Sequence, residues 1–230
     1  MYRQEELKEL EEKIGYVFRQ KELLAQALTH SSFSNEQKIN KFKNYERLEF
    51  LGDAVLELLS SRFFFETYPE MSEGQMTRLR SSMVCEPALA FCARDISLGS
   101  YILLGKGEEA TGGRMRDSII SDVMEAVIGA IYLDGGIEKA DEFVKRFILS
   151  DLKNKQLFYD SKTILQEKVQ KLGKELTYKL VEESGPEHDK IFVVEAWIDG
   201  KLAGRGQGRN KKSAQQQAAY QVLLDKILEE

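Results

Sequence analysis

The sequence predicts a multidomain chain, an all-α first domain followed by a small α+β domain of order α-β-β-β-α. Three observations carry this. No strand-like alternation of apolar and polar residues occurs before about residue 175, whereas helical spacing recurs throughout that stretch. Alternating segments then follow at Leu176–Glu182 and Ile191–Ile198. Asp199-Gly200, between Ile198 and a third short run over Lys201–Gln207, is a strong two-residue hairpin turn. The predicted domains are residues 1–152 and 161–230, joined by a linker at 153–160. That linker lacks Pro and Gly, so the boundary rests on the change of periodicity.

Composition bounds the answer. At 230 residues there is room for one large domain or two modest ones, and 42% hydrophobic with 31% charged residues of both signs is ordinary for a globular protein. The N-terminus has no apolar core of a signal peptide, and no long uncharged apolar run occurs, so no membrane span and a cytoplasmic location are expected. Cys85 and Cys92 fit neither a zinc site nor a disulfide framework and read as two reduced thiols. The net charge of −5 is unevenly spread: residues 161–230 carry 12 Lys and Arg against 11 Asp and Glu, while residues 1–152 carry 19 against 26. The acidity collects in the first domain, where bound divalent metal would offset part of it.

In chain order, residues 4–14 form an amphipathic helix (Leu7, Leu10, Ile14) that Gly15 closes, and Lys21–Thr29 forms another. His30 has no second His or Cys nearby, and a hydrogen-bonded structural role outweighs catalysis. Ser34–Lys43 is polar and basic and reads as a loop. A long helix runs from a cap at Asn44 to about Tyr68, where Pro69 stops it. Ser72 and Gln75 form a capping box. Helices follow over Met76–Val84 and Pro87–Arg94, and Gly105–Gly113 reads as a flexible glycine-bearing loop that matches no nucleotide-binding motif. Asp117-Ser-Ile-Ile leads into a helix ending at Asp134-Gly-Gly136, and Ile137–Asp151 is the last helix of the domain. In the second domain, Asp160 or Ser161 caps a helix over Thr163–Leu172, with Ile164, Leu165, Val169 and Leu172 on its core side, that Gly173 ends, and a helix from about Lys211 to Leu228 closes the chain.

Two of these helices carry the chemistry. At about 100° per residue, Glu46, Glu49 and Asp53 fall within a roughly 60° arc, opposite Leu48, Leu51, Val55, Leu58 and Leu59. Asp122 and Glu125 lie one turn apart, opposite Val123, Met124, Val127 and Ile131. Same-sign charges at these offsets destabilise a helix by a few tenths of a kcal/mol per pair, so an acidic row without Lys or Arg is either a solvated face or a cation site. Two such helices facing one another would enclose a hard cation. All-oxygen ligation without Cys or His suits Mg²⁺ or Mn²⁺ rather than zinc, and carboxylate-bound Mg²⁺ is common equipment for phosphodiester hydrolysis.

The stretch Tyr45-Glu-Arg-Leu-Glu-Phe-Leu-Gly-Asp53 resembles the signature of the ribonuclease III family, and Ser121-Asp-Val-Met-Glu125-Ala resembles its second acidic motif. The order α-β-β-β-α in about 70 residues resembles the double-stranded-RNA-binding domain, and almost the whole chain follows the family's bacterial layout. The resemblance implies a Mg²⁺-dependent endoribonuclease, with Mn²⁺ as a substitute, that cuts double-stranded RNA and leaves 5′-phosphate and 3′-hydroxyl ends with short 3′ overhangs. It implies no small-molecule cofactor and no membrane partner, and ribosomal RNA precursors and structured messenger RNAs as substrates. Glu49, Asp122 and Glu125 correspond to direct metal ligands, and Asp53 and Glu125 to the residues assigned as catalytic. Glu46 and Glu73 correspond to positions beside the site or on a second metal, although Glu73 also reads as a charge complementing a helix start. Phe50 lies beside the carboxylates, outside the apolar stripe. It reads either as an edge aromatic or as a subunit contact, and the resemblance favours a homodimer.

For the second domain the resemblance places Thr163, Gln166, Glu167 and Gln170 in an RNA minor groove and His188, in the loop between the first two strands, in the next one. Lys201 to Lys212 contains five basic residues and no acidic one. Lys211 and Lys212 open a helix where the macrodipole disfavours cations, which points to a phosphate grip over a solvated charge run. No aromatic platform for single strands is visible on either helix. Two other readings stay open: a catalytically silent dimerising scaffold that binds RNA, and a metal-dependent phosphohydrolase of small nucleotides.

Overall fold

The computed structural model describes residues 4–38, 43–152, 155, 161–185, 190–208 and 210–225. The chain divides into two compact units, Met1–Ser150 and Asp151–Glu230. Apart from Lys155, the predicted linker at 153–160 lies outside the described residues, as does His188.

The first unit is helical among its described residues: α1 (Gln4–Ile14), α2 (Lys21–Ala27), α3 (Ser31–Glu36), α4 (Glu46–Thr67), α5 (Glu73–Met83), α6 (Glu86–Asp95), α7 (Lys106–Ala110), α8 (Asp117–Gly135) and α9 (Ile137–Phe147). A single parallel bridge, Thr29 to Leu103, is its closest approach to sheet. Helix α8 is the axis of the unit. Val123, Met124, Val127, Ile128, Ala130 and Ile131 have no exposed surface, because α2, α4, α6 and α9 all pack on it. A helix apolar nearly all round is a helix buried nearly all round.

In this unit the structure departs from expectation in three places. Leu58, expected in the core stripe of α4, is 61% exposed; the buried face is Leu48, Gly52, Val55, Leu56, Leu59 and Phe64. The stripe therefore drifts off Leu58 onto Leu56 and Gly52, the side that meets α8. Residues 105–113 are not a free loop, since they contain α7, and the following Arg114 and Arg116 tie back to Glu109 and Glu108. Ser34–Glu36 belong to α3 rather than to a loop, capped by the His30 imidazole, which accepts from the Ser32 amide.

Predicted caps otherwise appear. Gly15, at φ 70°, closes α1. Ser72 donates its amide to Gln75 Oε1 at 2.8 Å. Asn44 Oδ1 accepts from the Glu46 amide at 3.2 Å, while the helical turn itself opens one residue later, on Tyr45.

In the second unit, α10 (Ser161–Lys171) precedes β1 (Leu176–Ser184), β2 (Ile191–Ile198), β3 (Lys201–Gly208) and α11 (Lys211–Leu224). The strands form one antiparallel sheet in the order β1-β2-β3. Asp199 and Gly200 have φ of 47° and 74°, and Ile198 pairs with Lys201, the geometry a type I′ hairpin requires. Leu165, Val169, Ala196, Ile198, Ala218, Ala219, Val222 and Leu223 make the core. Leu172, expected inward, is 51% exposed because α10 stops at Lys171 and Gly173 turns the chain at φ 66°.

Candidate active site and nucleic-acid interface

The carboxylates meet because two glycines let two backbones touch. A Cβ on Gly52 would stand 1.8 Å from the carbonyl oxygen of Glu125, and one on Gly129 would stand 2.3 Å from that of Leu48. No side chain fits at either place, so α4 and α8 cross in direct contact there. Glu49 and Asp53 flank Gly52, and Asp122 and Glu125 precede Gly129 by two turns and one turn respectively. The crossing thus brings both acidic rows into one environment.

The electrostatics register this directly. Burial, then the charges of Asp122, Glu46 and Asp53, push the Glu49 carboxyl up to about 7. Burial, then Asp53, Glu49, Asp122 and Glu57, push Glu125 up to about 8. Asp122 is also raised, mainly by burial. Every charge acting on Glu49 and Glu125 is another carboxylate. Such a set gains from a cation, and its all-oxygen donors fit Mg²⁺ or Mn²⁺. It is an open set: among the described residues no three His, Cys, Asp or Glu side chains converge closely enough to cage an ion as they stand.

Other predicted residues take different places. Glu46 is exposed at the first turn of α4 and accepts from the Asn44 amide side chain at 3.0 Å. Glu73 stands apart. It is exposed, accepts from the Thr77 hydroxyl at 2.9 Å, and lines a groove of about 520 Å³ with Leu58, Phe65, Met76 and Arg80. Phe50 is 81% exposed, and Leu58 at 61% and Phe65 at 71% extend the same exposed side of α4.

Two contributors were missed by the sequence reading. The Tyr45 hydroxyl donates to Asp122 Oδ2 at 3.3 Å, and burial followed by the nearby carboxylates raises its phenol well above the ordinary value. Glu57, one turn past Asp53, reaches Glu125 electrostatically and is ion-paired to Arg80 at 3.0 Å. The signal available for both was position alone, next to an acidic row and in phase with it.

In the second unit, Thr163, Gln166, Glu167 and Gln170 lie together on the exposed side of α10, with Leu165 and Val169 beneath. Lys211 and Lys212 are exposed at the start of α11. Asn210 caps that helix by accepting the Ser213 amide at 2.8 Å. Glycines again set the spacing: a Cβ on Gly206 would stand 2.2 Å from the Ala218 amide nitrogen, and one on Gly208 would stand 2.1 Å from Ser213 Oγ. Helix α11 can therefore rest on β3, holding its N-terminus and both lysines beside the last strand.

A helical unit with mutually interacting carboxylates on two crossing helices, joined to an α-β-β-β-α unit with a basic helix terminus, defines a class of nucleic-acid enzyme. The comparisons with known proteins make it particular. Residues 20–152 match the family model for ribonuclease-III-like domains, and residues 161–226 match the double-stranded RNA binding motif. The chain is 49% identical to a ribonuclease 3 of Shouchella clausii, covering 91% of this chain and 82% of that one. It is 48% identical to that of Anoxybacillus flavithermus, covering 94% and 92%. The solved nuclease domain of ribonuclease III from Campylobacter jejuni is similar at TM-score 0.58 and 42% identity, over 62% of this chain and 95% of that one. The chain belongs to the ribonuclease III family of double-stranded-RNA-binding endoribonucleases. Among the described residues, no helix is long and apolar enough to cross a membrane.

Proposed function

We propose that the chain is a Mg²⁺-dependent endoribonuclease that hydrolyses phosphodiesters of double-stranded RNA. It leaves 5′-phosphate and 3′-hydroxyl ends with short 3′ overhangs, on ribosomal RNA precursors and structured messenger RNAs in the cytoplasm. The observation that carries this reading is the contact of α4 and α8 at Gly52 and Gly129, with acidic side chains from both helices raising one another's carboxyl values. Glu49, Asp122 and Glu125 are the assigned ligands. An ion held by these three carboxylates would neutralise the set and would supply Lewis-acid polarisation of the phosphoryl group and activation of water. Asp53, exposed on the same arc, orients water for in-line attack on phosphorus, and the 3′-oxygen leaves. Glu125 holds a proton near neutral pH in the absence of a cation, so its occupancy by metal and by proton compete.

In the second unit, Thr163, Gln166 and Glu167 meet the minor groove, and Lys211 and Lys212 grip phosphates. His188 belongs to the same assignment by resemblance. Homodimerisation fits the exposed apolar side chains Phe50, Leu58 and Phe65 on α4, which a second copy would cover. The Campylobacter jejuni nuclease domain is described as flexible in a region involved in dimer formation.

The test compares the wild type with Glu125→Gln on a long RNA duplex. The variant is expected to bind the duplex as the wild type does and to cut it at least about 10³-fold more slowly, about 4 kcal/mol of transition-state stabilisation. Equal cleavage by both proteins would remove Glu125 from the reaction. Absence of cleavage by the wild type itself, with Mg²⁺ present, would leave an RNA-binding scaffold.

A further inference from the structure

Tyr45 sits just ahead of α4 and is 4% exposed. Its backbone amide donates to the Thr29 carbonyl at 2.9 Å, which fixes the residue to the segment leading into α3. Its ring lies against His30, with centroids 5.5 Å apart and planes tilted by 54°. From there the hydroxyl reaches across to α8 and donates to Asp122 Oδ2 at 3.3 Å.

His30 is itself immobilised. Its Nδ1 accepts from the Ser32 amide at 3.1 Å and stands 2.7 Å from Ser32 Oγ. Ser32 Oγ accepts from the Gly105 amide at 2.9 Å, so its own hydrogen is available for Nδ1. A ring nitrogen accepting from a backbone N–H carries no proton, which assigns the Nε2–H tautomer. His30 and Leu103 are joined in turn by the His30 amide donating to the Leu103 carbonyl at 3.1 Å. The phenol is thus held by backbone and ring contacts from Thr29 and His30, a segment itself tied to Leu103 and Gly105, and at neutral pH it is a donor.

We propose that Tyr45 is a positioning residue: by occupying Oδ2 of Asp122 from a fixed point, it sets the orientation in which that carboxylate meets the cation. The inference rests on the assignment of Glu49, Asp122 and Glu125 as ligands. Its physical basis is that partners hydrogen-bonded to a ligand orient it and tune affinity, and that losing one typically weakens metal binding by about 10- to 100-fold.

The experiment is calorimetric titration of the full chain with Mg²⁺ alone, on the wild type, Tyr45→Phe, His30→Asn and Glu125→Gln. Thermal melts of the metal-free proteins and cleavage at varied Mg²⁺ accompany it. Tyr45→Phe is expected to bind Mg²⁺ about 10-fold more weakly. The concentration for half-maximal cleavage should rise by the same factor, while cleavage at saturating Mg²⁺ and the metal-free Tm stay near wild type. His30→Asn keeps an acceptor for the Ser32 amide but removes the ring; a several-fold weakening is expected, and this variant decides the matter should Tyr45→Phe not fold. Wild-type Mg²⁺ affinity in the deciding variant overturns the proposal, and a lowered metal-free Tm with unchanged affinity does so too, by assigning Tyr45 to packing. If the wild type binds Mg²⁺ no better than Glu125→Gln, the ion site itself fails and the Tyr45 inference falls with it. If the wild type binds better and Tyr45→Phe matches it, only the Tyr45 inference fails.

Discussion

In the first unit, glycines at the α4–α8 crossing let two helix backbones touch, and the contact gathers half-buried negative charge. In the second, the glycines of β3 let α11 settle on the sheet, and the contact presents exposed positive charge. The packing device is shared, but the electrostatic consequences differ. Half-burial penalises the charged form and weakens solvent screening, so burial first, and then the neighbouring carboxylates, move Glu49 to about 7 and Glu125 to about 8. Lys211 and Lys212 sit in water, where their charge is available to an incoming polyanion at little cost to the fold. A buried charge cluster is suited to binding a small, hard ion. An exposed one is suited to sliding along a phosphate backbone.

The comparison breaks most visibly at its glycines. Gly52→Ala places a methyl group within 1.8 Å of the Glu125 carbonyl, so α4 and α8 must separate. Overpacking of this kind typically destabilises by about 3 kcal/mol, or about 10 °C in the melt of a unit this size, with loss of cleavage. Duplex binding by the second unit should survive, and an unchanged melting curve would show that the crossing yields freely. Gly206→Ala, whose methyl group would meet the Ala218 amide at 2.2 Å, is the mirror experiment. It is expected to cost about 2 kcal/mol in the second unit and weaken duplex binding, leaving Mg²⁺ affinity as it was.

Exchanging Lys211 and Lys212 for Gln sharpens the contrast between exposed and buried charge. Duplex affinity is expected to fall about 10-fold near physiological salt, and the log–log salt dependence to shallow by on the order of 1 per lysine. The Tm of the second unit should hold or rise slightly, because cations at a helix N-terminus oppose the macrodipole. A parallel loss of affinity at all salt concentrations would argue against phosphate contact.

The smallest effect concerns a buried carboxylate with no part in the site. Asp134 accepts from the Tyr16 hydroxyl at 2.7 Å and from the Arg19 and Gln20 amides at 2.9 Å each. Burial alone would raise its carboxyl, but these three donors outweigh it and hold Asp134 below its ordinary 3.8. The folded state therefore binds the proton less tightly than the unfolded state. The stabilisation is present above pH 3.8 and is lost as pH falls through the depressed folded value. Asp134→Asn is expected to lower stability by about 1 kcal/mol at neutral pH and to flatten the acid limb of a stability–pH curve. A limb of wild-type steepness would assign acid sensitivity elsewhere.

Much of the fold was legible because local rules and burial agreed. Asp199-Gly200 demanded positive φ at both residues and has it, and the apolar face of α8 was readable from Val123 to Ile131. The two acidic rows were readable from spacing as well. Leu58 and Leu172 went wrong for one reason: apolar character reports that a residue can be buried, not that a neighbour arrives to cover it. The segment at 105–113 was misread because the Arg114–Glu109 and Arg116–Glu108 pairs that hold α7 in place have no periodic signature.

By itself, then, the sequence determined the helix faces, the hairpin turn, the order of the two units and which side chains carry charge, since these follow from residue types at short separations. Only the tertiary structure decided that Gly52 and Gly129 meet, that Tyr45 reaches Asp122 across 77 residues, and that Phe50, Leu58 and Phe65 stay uncovered within one copy. Those outcomes depend on which backbone approaches which, and a contact between distant segments leaves no period in either of them.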